Sequence, residues 1–276
     1  MITWAWLEAR PRAALRPPKP APTMTTRGVL LLGLAITYKI AEMAVGSKTF
    51  PRVPAGEPET GPRLVPGVYP LGSRLAVWGQ VALIFGLLEL VMWTPRSLVH
   101  TFLIVALVVS VLWLGLRGYT REELGLRWAS EEGAVWILGT GCVLAVAIPG
   151  IALVLGHSVP ANPEWPRLQN LWPYVIWAFA QQFLLQSFLY LRLESLLGSR
   201  SAVAAATLLF TVAHLPNLPL TVLTFAGALF FTEMFRRYRS IYPLGLVHAM
   251  LGIAVAYTFP DSLMHHMRVG LSFWKF

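Results

Sequence analysis

The stretch AFAQQFLLQSFLYLRLESLLG, Ala178 to Gly198, decides the fold. It begins inside an apolar run of membrane-span length, yet it carries Gln181, Gln182 and Gln186 where a lipid-facing helix would carry leucine. On an α-helix Gln182 and Gln186 are one turn apart and share a face, whereas Gln181 lies about 100° to the side. Because amides in hydrocarbon need hydrogen-bond partners, this face is expected to point into a helix bundle. The residues alone leave two roles open, interhelical hydrogen bonding or the polar wall of a site.

The composition of the whole chain is that of an integral membrane protein. Of its 276 residues, 56% are hydrophobic and only 13% are charged, with a mean hydropathy of +0.60, which polar surface could not cover in a soluble domain. Apolar segments predict about eight transmembrane helices in one all-α bundle of a multi-pass membrane protein. They lie near 28–46, 75–93, 98–116, 134–156, 170–191, 201–214, 219–235 and 241–258.

The spans predict four parts of the chain. These are a basic, proline-rich arm (1–27), N-terminal transmembrane helices (28–117) with a proline- and glycine-rich loop at 46–74, a core (118–258) and a tail (259–276). Either Met1 or Met24 could be the start, and the first span is expected to be an uncleaved anchor. Between the third and fourth spans, Thr120 and Glu123 have the spacing of a capping box, which predicts a short interfacial helix.

Charge and cysteine content exclude two other classes of function. A formal net charge of +9 would suit a nucleic-acid-binding protein, but the basic residues are scattered between apolar segments as singles and pairs. This distribution is typical of membrane-protein loops, so no nucleic-acid partner is expected. The single cysteine, Cys142, lies inside an apolar segment, which excludes an internal disulfide and a cysteine metal cluster.

Two histidines in late apolar segments are candidates for chemistry. The segment that ends at His214 has only about 14 residues, roughly 21 Å of helix, and Pro216 and Pro219 then break it. His214 is therefore expected at membrane depth beside irregular backbone, which is tolerated there only inside protein or along a wet cavity. His248 lies in the middle of a later segment with no charge nearby in sequence. Each could be an ordinary hydrogen-bonded histidine of the bundle, or the pair could form a site with the glutamines.

The other ionisable residues have simpler interpretations. Glu233 lies three and four residues before Arg236 and Arg237, so local ion pairs are expected, although its carboxylate could also reach the site. Glu89 lies close to a helix end and is expected to reach the headgroups. The remaining histidines fall at span edges or in the tail, where interfacial or solvated positions are expected; they are His100, His157, His265 and His266.

At these residues the sequence resembles the CPBP family of intramembrane CAAX-processing and bacteriocin-processing proteases, which includes the type II CAAX prenyl endopeptidases. Members carry Glu-Glu-x-x-x-Arg on one helix, Phe-x-x-x-His on the next and His-x-x-x-Asn or Asp on a later one. The same order and spacing are present in QQFLLQ (181–186), FTVAH (210–214) and HAMLG (248–252). The resemblance covers roughly residues 118–257 and implies a CPBP-type core.

The departures from the family pattern are equally definite. The resemblance implies that two glutamates and two histidines activate a water that attacks a peptide carbonyl, while the asparagine helps to hold the oxyanion. Here Gln181 and Gln182 replace the glutamates, Gln186 the arginine and Gly252 the asparagine. A primary amide cannot take a proton from water near neutral pH, so hydrolysis through the family's glutamate is excluded. An arginine left without those carboxylates would be an unpaired buried cation, so neutral glutamine at 186 preserves a stable fold.

Three hypotheses follow for a site made of His214, His248, Gln182, Gln181, Gln186 and Glu233. One is a working peptidase with a displaced base, either Glu233, Glu194 or one of the histidines. Another is a pseudoprotease that binds a lipidated or membrane peptide without cutting it. The third is an enzyme of another class, acting on an isoprenoid or other lipid, in which a histidine moves a proton.

Each hypothesis gives the chain a lipid or a lipidated peptide as its partner within the membrane. No metal site is predicted, because no carboxylate accompanies the histidines at motif spacing. The need for a cofactor and the oligomeric state are left open by the sequence.

Overall fold

The computed structural model describes residues 71–154 and 171–274. These residues form helices and connecting turns, and they contain no β-strand. The main helices are α1 (Leu71–Trp93), α2 (Leu98–Gly115), α3 (Glu131–Val154), α4 (Trp172–Gln182), α5 (Leu191–Leu197), α6 (Ser199–Val212), α7 (Leu218–Tyr238) and α8 (Ile241–Thr258). A π-helix, Phe183–Tyr190, joins α4 to α5. Residues 259–274, called the C-terminal segment below, contain α9 (Asp261–Met264) and two short 3₁₀ turns, His265–Met267 and Gly270–Trp274.

The membrane-spanning character of the fold is confirmed, but the count of about eight spans is not. Among the described residues five helices are long and apolar enough to cross a membrane, namely α1, α2, α3, α7 and α8. Helix α6 is apolar but has only 14 residues, and α4, the π-helix and α5 form one continuous run with several polar side chains. Each predicted span from 75–93 onward corresponds to one of these helical segments. The predicted arm, the span 28–46 and the loop 46–74 lie outside the described residues.

The backbone around His214 is irregular, as its sequence predicts. Helix α6 ends at Val212, and residues 213–216 form turns before α7 begins. Asn217 caps α7, because its side-chain oxygen accepts a hydrogen bond from the amide of Leu220 at 3.3 Å. Pro219 stands in the first turn of α7, where a missing N–H costs little. His214 therefore lies in a turn between two helices rather than within one.

The π-helix lies at the centre of the bundle. Six of its eight residues, Leu185 to Tyr190, are buried, and it contacts α2, α6, α7 and α8. A π-helix is rare and is found mostly at functional positions inside α-helices. The wider turn begins directly after Gln182, so the glutamine motif lies at the junction between the two helical geometries.

A buried arginine fixes the π-helix against the first two helices. Arg192 is only 2% exposed, yet it bonds neutral acceptors: Nε donates to Gln80 Oε1 at 3.0 Å and Nη2 to the carbonyl of Leu114 at 2.6 Å. Its guanidinium also lies 3.9 Å from the centre of the Phe188 ring, a cation–π contact. This arginine ties α5 and the π-helix to α1 and α2.

The predicted capping box forms, but the predicted interfacial helix does not. Thr120 N donates to Glu123 Oε2 at 2.7 Å, and Glu123 N donates to Thr120 Oγ1 at 3.2 Å. The segment continues only as a turn, because Gly125 follows with a left-handed φ of +70°. The turn is also held by the core, since Ser187 Oγ donates to the carbonyl of Leu124 at 2.6 Å. The segment therefore packs against the π-helix as a turn instead of forming the expected helix.

Candidate functional site

The glutamine face points into the bundle and forms a hydrogen-bond chain that ends on a histidine. Gln186 Nε2 donates to Gln182 Oε1 at 3.2 Å, and Gln182 Nε2 donates to His248 Nδ1 at 3.0 Å. Both glutamines have no exposed surface. The chain links the start of the π-helix to the middle of α8, so these amides provide interhelical hydrogen bonding and also orient His248.

His214 and His248 both pack against the ring of Phe210. Nδ1 of His214 donates to the backbone carbonyl of Phe210 at 2.7 Å, one turn earlier on α6. The Phe210 ring lies 4.9 Å from the imidazole of His214 and 6.4 Å from that of His248, centre to centre. Phe231 stacks on His248 at 5.2 Å with an interplanar angle of 18°. An aromatic wall thus holds both imidazoles at one place.

The two histidines have opposite hydrogen-bonding roles toward the space between the helices. A carbonyl can only accept, so Nδ1 of His214 carries the hydrogen and its Nε2 keeps a free lone pair. A primary amide nitrogen can only donate, so Nδ1 of His248 accepts and its Nε2 carries the hydrogen. The pair therefore offers one acceptor and one donor, a combination able to hold or move a proton on a bound molecule.

A cavity of about 990 Å³ opens beside these histidines. Most of its wall is apolar and comes from α1, α2, α3, α4, α7 and α8. Its polar lining includes His214, His248, Gln181, Tyr174 and Thr224. Within the described part of the chain, no aspartate or glutamate lines the cavity.

Glu233 and Glu194, the two carboxylates considered as displaced bases, are engaged elsewhere. Glu233 accepts from Nε of Arg236 at 2.7 Å and from Nε of Arg237 at 2.6 Å, which are the local ion pairs that its position predicts. Glu194 accepts from Arg239 Nη2 at 2.6 Å. Neither glutamate lines the cavity. The structure thus separates Glu233 from the histidines and amides with which the sequence grouped it.

Tyr174 belongs to the site, and sequence reasoning missed it. A Cβ atom placed on Gly252 would lie 1.6 Å from Oη and 2.6 Å from Cζ of Tyr174. The tyrosine therefore occupies the room that a side chain at position 252 would need, one helical turn after His248 on α8. The glycine at position 252 indicates that another side chain packs closely there, but the sequence does not identify that side chain.

The C-terminal segment also belongs to the cavity, although His266 stays exposed, as an interfacial or solvated position requires. Four consecutive residues of this segment, 266–269, line one side of the cavity. The buried amide of Asn217 holds the segment in place, donating to the carbonyls of Met264 at 2.7 Å and Arg268 at 3.1 Å. The same asparagine caps α7, so one side chain couples the end of the chain to the turn that carries His214.

Metal ligands are not grouped in the part of the chain that the structure describes. No set of three or more His, Cys, Asp or Glu side chains there could hold a metal ion. The polar chemistry that the described residues bring to the cavity is therefore that of imidazoles, one guanidinium, a neutral amide and hydroxyl groups.

Comparison with known proteins confirms the resemblance to the CPBP family. A family model described as Type II CAAX prenyl endopeptidase Rce1-like matches residues 163–254. The matched region includes the glutamine face, both histidines and Gly252. No curated protein and no solved structure matches the chain.

Proposed function

We propose that this chain is a CPBP-type endopeptidase homologue that binds an isoprenoid or lipidated ligand in its cavity and does not hydrolyse peptides by the family's glutamate mechanism. One observation carries the proposal: a large apolar cavity is lined by two histidines of the family pattern, and a neutral amide chain stands where the family has a glutamate and its arginine. The described residues bring no carboxylate to its wall.

The direction of the hydrogen bonds disfavours hydrolysis by the family's mechanism. Gln182 donates to His248, whereas a carboxylate at the same position could only accept when ionised. The histidine is therefore held in the opposite tautomer from the one that a carboxylate would favour. Positioned general-base catalysis is worth roughly 10² to 10⁴ in rate, and the amides supply none of it.

The size and lining of the cavity favour a lipid ligand. Ligand pockets typically enclose about 300–1,000 Å³, so a cavity of about 990 Å³ is large enough for a long chain. Its lining includes Trp172, Trp177, Phe183 and Phe230, which suit an aliphatic or isoprenoid chain. The family description names a prenyl endopeptidase, which supports a prenyl group as the ligand class.

Enzymatic chemistry on the lipid is the second candidate, and the opposite tautomers of the histidines favour it. A free lone pair on His214 and an N–H on His248 could remove a proton at one atom and deliver one at another. A binding module has no need for this pairing. Conversion of a bound isoprenoid by wild-type protein, lost in His214→Leu, would establish this candidate over a pure binding role.

The binding proposal can be tested by filling the cavity. Gly227 lines it, and a Cβ there would meet only Phe231, at an ordinary 3.6 Å, so Gly227→Phe should fold with its ring in the cavity. We expect at least about a tenfold loss of affinity for a fluorescent farnesyl probe, equivalent to about 1.4 kcal/mol. Gly139→Phe is the matched control, because a Cβ at Gly139 meets nothing within 4 Å and this residue does not line the cavity. Equal affinity in the two variants would contradict the proposal.

A further inference from the structure

We infer that the cavity selects a lipid with an uncharged hydrogen-bonding head group, such as an alcohol, ester or amide, over one with an anionic head group such as a diphosphate. This inference rests on the proposed lipid-binding function and adds a substrate class to it. The groups that would read the head group are His214, His248 and Tyr174, all of which line the cavity.

The two histidines together fit a hydroxyl group. Nδ1 of each ring is already bonded within the bundle, so Nε2 is the atom that each has left for a ligand. His214 can accept a hydrogen bond there, and His248 can donate one. A hydroxyl both donates and accepts, so it complements either ring, whereas an anionic oxygen can only accept and does not complement the neutral His214.

Tyr174 adds a third polar group on the same side. Its Oη lies against Gly252, one turn after His248 on α8, so the tyrosine and the histidine project from neighbouring levels of the bundle. Any residue larger than glycine at position 252 would collide with this ring, so the tyrosine hydroxyl packs directly against Gly252. Because a tyrosine hydroxyl can donate or accept, it suits a carbonyl as well as an alcohol.

The lining offers little to a multiply charged head group. Among the described lining residues Arg268 is the one arginine or lysine, and it lies with His266 on the C-terminal segment rather than on the turn and the helix that carry His214 and His248. The described residues contain no set of three or more His, Cys, Asp or Glu side chains that could hold a metal ion beside a diphosphate. Burying an anion without paired charges is far more costly than burying a hydroxyl with its hydrogen bonds made.

The ligand preference can be tested on the wild-type full chain in lipid nanodiscs. Farnesol and farnesyl diphosphate carry the same chain, and each would compete with the fluorescent farnesyl probe. We expect farnesol to compete at least about tenfold more strongly, because burying the diphosphate without paired charges is unfavourable. Equal or stronger competition by the diphosphate would overturn the inference and leave the proposed function intact. If neither compound competes, the proposed function fails together with the inference.

Removing the tyrosine hydroxyl separates head-group recognition from packing. Tyr174→Phe should weaken farnesol binding about fivefold, as expected for loss of one hydrogen bond, and leave binding of farnesane, the hydrocarbon without a head group, unchanged. Tyr257→Phe is the matched control, because Tyr257 lies on α8 but does not line the cavity. An equal loss for farnesol and farnesane, or none for either, would overturn the role of Tyr174.

Discussion

The close approach of Tyr174 to Gly252 makes a quantitative prediction. In Gly252→Ala the new methyl group would lie 1.6 Å from Oη and 2.6 Å from Cζ of the tyrosine. Carbon atoms in contact are separated by about 3.5–4.0 Å, so the ring or the helix must shift by about 1–2 Å. Overpacking of this kind costs about 1–3 kcal/mol of unfolding free energy. Without the clash, Gly→Ala in a helix would stabilise by up to about 1 kcal/mol, so the sign of the effect is itself diagnostic.

Two backgrounds identify the source of this cost. Tyr174→Phe removes Oη but keeps Cζ, which still lies 2.6 Å from the new methyl group, so Gly252→Ala should remain destabilising there. Tyr174→Ala removes the whole ring, and in that background Gly252→Ala should become neutral or stabilising. Denaturant titration in detergent micelles, arranged as double-mutant cycles, measures these differences.

Gly139→Ala is the control for helix propensity, because a Cβ there meets nothing within 4 Å. If Gly252→Ala behaved like Gly139→Ala in every background, Tyr174 would not occupy this space. The proposed contact between the Tyr174 hydroxyl and the lipid head group would then be contradicted as well.

Three further predictions concern the groups around the cavity. Gln182→Leu should lower the unfolding free energy by about 1–3 kcal/mol, because it leaves Nδ1 of His248 buried without its donor. Unchanged stability in denaturant titration would contradict the hydrogen bond between Gln182 and His248. Glu233→Gln should lower the unfolding free energy by about 3 kcal/mol, because it removes the carboxylate that pairs with two arginines. Binding of the farnesyl probe should be unchanged, and a loss of binding would show that Glu233 belongs to the site. Asn217→Asp keeps the helix-capping oxygen but removes the amide donors, so limited proteolysis should cut within the C-terminal segment, and equal resistance to wild type would refute the anchoring role.

Much of the architecture could be predicted from the sequence because its determinants are local. The apolar length of each span is set by bilayer thickness, so helices such as α1 and α2 appear close to the bounds that hydropathy indicates. The short α6 and the break before His214 follow from a 14-residue apolar segment and the prolines after it. The bond between Gln182 and Gln186 follows from their spacing of four residues, although the helix there is π rather than α.

The rest of the site depends on contacts between distant parts of the chain. The space beside Gly252 is filled by a tyrosine from α4, and no local pattern identifies that partner. The capping box at Thr120 predicts a helix from local chemistry, but the segment forms only a turn, whose Leu124 carbonyl is held by Ser187. The C-terminal segment has the composition of a tail, and it lines the cavity because Asn217 holds its backbone.

Burial in the structure gives a physical reason for a neutral residue at position 186. Gln186 has no exposed surface, so an arginine there would lie in a region of low dielectric without the two acids of the family pattern. Arg192 shows what such a cation requires here, since it is held by a glutamine oxygen and backbone carbonyls. Neutral glutamine at 186 needs no such set of acceptors, so it keeps the position polar without a burial penalty for charge.

The central claim is that the cavity binds a prenylated ligand without hydrolysing it. The most direct measurement incubates the wild-type full chain, in nanodiscs, with a farnesylated CAAX peptide and follows bound peptide and cleavage product by mass spectrometry. We expect peptide to be retained intact, with retention lost in Gly227→Phe. Cleavage by the wild type that disappears in His214→Ala would contradict the claim, because it would show that this site hydrolyses peptides without the family's glutamates.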